Sequence, residues 1–232
     1  MRTALIAVVA AAVTFAPATV SAKEKNDAAE RLDAAAELMT EMMHASDKGV
    51  PQDLLNRSRC VILVPGLKKA AFIIGGKYGR GFASCRKANG VGWSAPAPIR
   101  IEGGSVGFQI GGEATDFVFL VMNDRGANSL LHSKVRLGAD ASAAAGPVGR
   151  LASADTDAYM RSEILSYSRA RGAFAGISLE GSTLRPDSGA NRNLYRRSIG
   201  AAEIINGSEV QTPAAAGDLI AVLRKASPQL KS

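Results

Sequence analysis

The stretch Gly75 to Gly81, GGKYGRG, sets four glycines beside a lysine and an arginine. Loops that wrap backbone amides around a phosphate have this composition. A nucleotide loop of that kind needs Ser or Thr after its lysine, to hold magnesium, and then a helix. Here Tyr78 follows Lys77, and the residues beyond continue as strand. Gly75, Gly79 and Gly81 share parity with Ala83 and Cys85, as in a strand whose one face is kept small against neighbouring backbone. Lys77 and Arg80 fall on opposite parity, so without a bulge only one of them joins a given site.

Three other groupings invite chemistry. Gly103-Gly104-Ser105-Val106-Gly107 matches the G-x-S-x-G elbow of serine hydrolases, but that elbow turns a strand into a helix, and VGFQIGG alternates like a strand. His132 is the only later histidine, too close to leave room for a hydrolase sheet. Glu113 and Asp116 could act as a carboxylate pair, although acids at a strand end are the commoner case. Asp187 to Asn193, DSGANRN, is rich in oxygen ligands but lacks the spacing and final glutamate of a calcium loop, and reads as a helix-capping turn. With two cysteines and two histidines, the chain lacks ligands for a dedicated zinc site. No catalytic residue, metal or cofactor is expected.

Charge is the stronger signal. Lys23 to Asp53 carries eight acids against four bases, whereas Leu54 to Ile101 carries nine bases and no acid. An acid-free block of this size produces a positive local potential. From it Lys68, Lys69, Lys77, Arg80, Arg86 and Lys87 are the expected ligands of an anionic, phosphate-bearing headgroup. The alternative is a solvated basic face neutralised by the acidic N-terminal segment. Few aromatics and an exported chain argue against nucleic acid.

Residues 1–22 read as a secretory signal peptide: a basic start, an apolar run from Ala4 to Ala16 too short to span a bilayer, and Val20-Ser21-Ala22 as a cleavage signal. The expected location is periplasmic or secreted, with residues 23–232 as one domain. In an oxidising compartment Cys60 and Cys85 can pair; otherwise they are two small buried hydrophobes. Residues 26–46 have a helical stripe of Leu32, Ala35, Ala36, Met39, Met42 and Met43. Cys60 to Val64 reads as a strand closed by Pro65-Gly66, Ala71 to Arg86 as glycine-kinked strand, and Phe117 to Met122 as a central strand apolar on both faces. Pro96 and Pro98 suggest a break or an edge. A helical turn follows over 124–131. Ile164 to Arg169 and Ala173 to Leu179 read as a hairpin, although Asp157 to Ser168 also fits a helix, and short helices lie beyond residue 190. GADASAAAGPVGR, residues 138–150, is small throughout and supports no period.

The segments VPGLKKAAFIIGGKYGRGFASCR, GWSAPAPIRIEGGSVGFQIGGEATDFVFLVMN, LLHSKVRLGADASAAAGPVGR and EILSYSRARGAFAGISLEGSTLRPDSGANRNLY resemble, in order, the SYLF domain. That lipid-binding family is also described from yeast as an actin-binding module. The likeness runs from about Ala28 to Leu223. It implies binding rather than catalysis, at phosphoinositide-type or other anionic membranes, through an amphipathic N-terminal helix and basic residues. This chain departs from that pattern in the acidity of its N-terminal helix. The expected fold is α+β: a twisted, mostly antiparallel, glycine-rich sheet or partly closed barrel with N- and C-terminal helices packed on it. The expected function is non-catalytic, peripheral lipid binding in the cell envelope; the alternative is an interaction module docking an acidic protein.

Overall fold

The structure is a computed structural model that describes residues 18–45, 49–71, 74–106, 113–149, 161–170 and 173–231. Its centre is a curled mixed sheet forming a half-barrel, with helices from both ends of the chain against it. The strands are β1 (Cys60–Ala71), β2 (Ile74–Cys85), β3 (Ala97–Val106), β4 (Glu113–Val121), β5 (Val135–Arg136), β6 (Ala143–Ala145), β7 (Ile164–Ala170), β8 (Ala173–Gly176) and β9 (Thr183–Pro186). They lie in the order β5-β9-β3-β2-β1-β4-β7-β6, with β8 also on β7. All pairings are antiparallel except the short β6 on β7. The helices are α1 (Ala18–His44), α2 (Gln52–Arg57), α3 (Asp124–His132), α4 (Ser188–Tyr195), α5 (Ala201–Asn206) and α6 (Gly217–Ala226).

Both faces of the sheet are covered. Cys60, Ile62, Val64, Phe117, Phe119 and Val121 pack with α3 and α5 through Leu130, Leu131, Ile204 and Ile205. Val61, Leu63, Val118, Leu120 and Phe82 pack with α1 and α6 through Leu32, Ala35, Met39, Leu219, Ile220 and Leu223. β1 and β4 are therefore apolar at successive positions because each neighbour in sequence faces a different core. Each Leu or Met that α1 buries contributes about 1.5–3 kcal/mol, so its stripe docks the helix, while Asp27, Glu30, Asp33 and Glu37 stay exposed and Glu41 pairs with Arg169.

Pro65-Gly66 does not end β1. The strand continues to Ala71, with its register against both β2 and β4 shifted across this pair. Gly66 takes φ +61° and its amide donates to Asp116 Oδ1 at 2.8 Å, so the dipeptide is a bulge that reverses which residues face inward. Asp116 thereby has a structural task and also pairs with Arg169 at 3.4 Å. Pro98 likewise marks no edge: β3 lies between β2 and β9, and Pro98 sits one residue before the β9 pairing begins at Ile99.

Gly103 to Val106 run as strand opposite β2, Ser105 facing Gly75 in register, without the sharp turn a nucleophile elbow needs. Asp187 caps α4, its Oδ1 accepting from the Ala190 amide at 3.2 Å, which accounts for DSGANRN. In the small-residue segment Ala143–Ala145 forms β6, and Gly146 lies against the Tyr167 ring. Of the suggested leader, 1–17 lie outside the described residues and 18–22 open α1. No helix among the described residues is long and apolar enough to cross a membrane.

Candidate functional site

β2 carries two of the six expected headgroup ligands, Lys77 and Arg80, and the chain just past its end carries Arg86 and Lys87. From Lys77 to Lys87 the chain is extended, about 33 Å at 3.3 Å per residue. Lys68 and Lys69 lie beside the first end, their Cα atoms opposite Tyr78 and Lys77; their side chains lie outside the described residues. Arg86 and Lys87 belong to the far end. The six do not form one patch, because a strand cannot gather residues that its own rise separates. β2 runs in unbroken register with β3 from Ile74 to Ala83, so Lys77 and Arg80 stand on opposite faces.

Arg86 has to be withdrawn from the headgroup set. It is 8% exposed. Its Nη1 donates to the Ser227 carbonyl at 2.6 Å, and its Nη2 to Ser227 Oγ at 2.5 Å and the Leu55 carbonyl at 3.3 Å. The Trp93 ring covers it at 3.9 Å, and the Trp93 Nε1–H donates to the Leu223 and Ser227 carbonyls at 3.0 and 2.9 Å. The carbonyl ends of α2 and α6 thus converge on one guanidinium, where the negative ends of helix dipoles favour a cation. Burial alone pushes its pKa down to about 10, so it stays charged at neutral pH. Arg86 is a structural lock.

Other members of the basic block meet the chain's own acids. Arg57 pairs with Asp53 at 3.2 Å and Arg59 with Asp124 at 3.1 Å. A count over Leu54 to Ile101 misses both, because Asp53 lies one residue outside that block and Asp124 comes from a helix far along the chain.

The near half of β2 brings together a set that the basic block only half contains. Arg80 is in direct register with Arg100 of β3, and Arg100 with Arg185 of β9. Three guanidinium groups therefore form a row on one face, with Cα atoms about 4.5–5.5 Å apart from strand to strand. Arg31 of α1 joins them: burial, and next the like charge of Arg80, hold its pKa below the ordinary value, while Asp27, Tyr78 and Asp187 oppose that shift. Like charges directly opposite each other destabilise a sheet. Two carboxylates offset part of that cost. Glu102 accepts from Arg185 Nη2 at 2.8 Å and lies 3.4 Å from Arg100 Nε, and Asp187 lies 3.3 Å from Arg80 Nε. That hydrogen bond to Glu102 raises the Arg185 pKa. With Asp27 beside Arg31, four cations face three acids and the surface keeps a net positive charge.

Tyr78 stands in the next rung, opposite Glu102. It is 42% exposed, and its hydroxyl accepts from Arg80 Nε at 2.7 Å. An exposed aromatic beside a cationic row gives the site an apolar and a polar contact together. Arg31, Arg100 and Arg185 are the members sequence reasoning misses. The alternation of Arg100 and Arg185 with Ile99, Ile101 and Leu184 gives a signal for the face, but the pairing of β3 with β9 joins residues more than eighty positions apart.

Comparison with known proteins fits this picture of a binding domain. The family described as "Ysc84: Las17-binding protein actin regulator" matches residues 102–226. An SH3 domain-containing protein of Schizosaccharomyces pombe is 38% identical over 177 residues, covering 75% of this chain and 40% of its own length. Protein YSC84 of Saccharomyces cerevisiae is 34% identical over 181 residues, covering 77% of this chain and 38% of that protein. The human SH3 domain-containing YSC84-like protein 1 is 33% identical over 178 residues, 76% of this chain and 51% of its own. The chain thus spans about two-fifths to one-half of these curated relatives.

Proposed function

The chain belongs to the Ysc84/SYLF family, and from that premise we propose that it is a peripheral, non-catalytic binder of anionic, phosphate-bearing lipid headgroups. The observation that carries this reading is the arginine row, Arg80, Arg100 and Arg185 in direct cross-strand register with Arg31 beside them. A guanidinium fork matches a phosphate in two hydrogen bonds at once, and a bound phosphate relieves the repulsion within the row. Tyr78 adds an interfacial contact. Lys68 and Lys69, one strand away, extend the same end of the sheet toward the membrane. Each cation near an anionic leaflet contributes about 1 kcal/mol, so several must act together. An exported location, read from residues 1–22, supports contact with an envelope leaflet.

Vesicle flotation tests this reading. Phosphatidylglycerol vesicles should carry the protein up at low salt and lose it as salt rises, whereas phosphatidylcholine vesicles should not. The double variant R100Q/R185Q should lose about thirtyfold in affinity with an unchanged melting curve. Salt-independent flotation, or full binding by that variant, refutes the row as the site. Charge reversal at Lys68 and Lys69 then shows whether the hairpin lysines take part.

A second reading has its own support. The family description and the names of relatives such as LAS seventeen-binding protein 3 refer to a protein partner. The same row suits an acidic polypeptide segment, and cross-linking in intact cells that yields protein adducts rather than lipid adducts would favour this alternative.

A further inference from the structure

At the far end of β2 lies a cleft of about 790 Å³. The Cys60–Cys85 disulfide is part of its wall, with sulfurs 2.02 Å apart across directly paired β1 and β2. α3 contributes Leu131, α5 contributes Ile205, and the segment after α5 contributes Val210. The volume falls in the range of pockets that hold small molecules, about 300–1,000 Å³.

The charges around it are unbalanced. Arg59, Arg86, Lys87 and Arg224 line the cleft, against Asp124 as the carboxylate among its lining residues. Asp124 is engaged by Arg59. Among the described residues no carboxylate pairs with Lys87 or Arg224, and the hydrogen-bond partners of Arg86 are carbonyls and one hydroxyl. The buried charge of Arg86 is solvated by dipoles but not cancelled. Low-dielectric walls lined by one sign of charge focus the field into the opening.

We propose that this cleft is a second binding site, separate from the arginine row, for a phosphate monoester or carboxylate carried on a short apolar stem. Lys87 and Arg224, both exposed, meet the anionic group at the rim. Leu131, Ile205 and Val210 receive the stem. Arg86 supplies fixed positive potential from within the wall. The disulfide joins the residues next to Arg59 and Arg86, and the Arg86 amide donates to the Arg59 carbonyl at 2.8 Å, so the site is preorganised and little ordering accompanies binding. A metal is not the ligand class, because among the described residues no cluster of His, Cys, Asp or Glu could hold one.

Calorimetric titration of the intact chain tests the proposal with three probes. Phenyl phosphate represents a free solute, lysophosphatidic acid below its micelle concentration represents a lipid headgroup, and benzyltrimethylammonium is the cationic control. One or both phosphate monoesters should bind saturably at one per chain, and the ammonium should not. The variant K87E/R224E should weaken that binding about tenfold, Val210→Trp should block the stem, and R100Q/R185Q should leave it unchanged. Amide shifts on binding should centre on Ser94, Asn128 and Ile205. No saturable heat with either monoester, equal affinity in K87E/R224E, or loss in R100Q/R185Q overturns the second site. Because the row and the cleft are changed by different variants, failure of one leaves the other standing.

Discussion

Arg80 in β2 and Arg86 just past its end stand six residues apart with the same parity, and the fold uses them in opposite ways. Arg80 has a side chain 42% exposed and shares its charge with Tyr78, Asp187 and two further arginines. Arg86, about 20 Å along the strand, is buried under Trp93 and held by the carbonyl ends of two helices. Identical chemistry in one acid-free block thus becomes surface potential at one end and internal scaffolding at the other. What differs is the cover: α2, α6 and the residues after α6 close over the far end, while at the near end Tyr78 and Arg80 meet solvent.

The largest effect expected from this contrast is on stability. Arg86→Met should cost about 4 kcal/mol, since it strands several buried carbonyls that now share a charged donor, whereas Arg80→Met, which takes one cation from the buried Asp187 carboxylate, should cost about 1–2 kcal/mol. Urea unfolding reads both. Vesicle affinity should show the reverse order, with Arg80→Met weakening binding about fivefold and the folded fraction of Arg86→Met binding normally. Equal unfolding costs for the two would break the comparison.

The disulfide belongs to the locked end. Replacing Cys60 and Cys85 together by serine opens a loop with a sequence separation of 25 and should remove about 3 kcal/mol by the chain-entropy argument. The row should keep its vesicle affinity, because its register with β3 and β9 is set elsewhere.

Between the two ends, Gly81→Ala should cost about 2 kcal/mol. An added Cβ there would overlap the Leu63 carbonyl of the neighbouring strand, so β2 and β1 would have to part where they approach most closely. A chevron or melting measurement that finds Gly81→Ala neutral would show the approach to be looser than described.

The smallest effect concerns alkaline pH. Burial raises the Tyr195 phenol above its ordinary value, and its hydroxyl donates to the Pro96 carbonyl at 2.8 Å. The folded state therefore keeps a proton that the unfolded chain loses near pH 10. Stability from the neutral phenol is complete below that pH and falls as pH rises above it. Arg86 has the opposite sign: with its folded pKa down at about 10, the penalty on its buried charge is relieved as pH rises from there toward the ordinary arginine value. Tyr195→Phe should flatten the alkaline loss in a pH series of unfolding midpoints and so isolate the contribution of Arg86. An unchanged slope would mean that Tyr195 ionises in the fold as it does in water.

Much of the architecture could be read directly from residue order. The apolar stripe over Leu32 to Met43 identified α1, continuous apolarity in Phe117 to Val121 identified a central strand, and the parity of Gly75, Gly79 and Gly81 showed a strand face kept small. Pro65-Gly66 misled, because a bulge and a strand end use the same dipeptide, and only the Asp116 carboxylate waiting for the Gly66 amide separates them. The site was less legible. Counting charge named Arg80, which the fold sets in the cationic row, together with Arg86, which it buries, and it passed over Arg100 as a candidate ligand and Arg31 and Arg185 altogether.

Local periodicity and composition by themselves settle which segments are helix or strand, which faces are apolar and where cations are concentrated, because these depend on neighbours within a few residues. Which cations remain available is decided by pairing between distant strands and by helices folding over one end of β2. Exposure and counterions are set by residues tens to more than a hundred positions away, as with Arg86 and Ser227. Only the closed tertiary structure brings such partners within hydrogen-bonding distance.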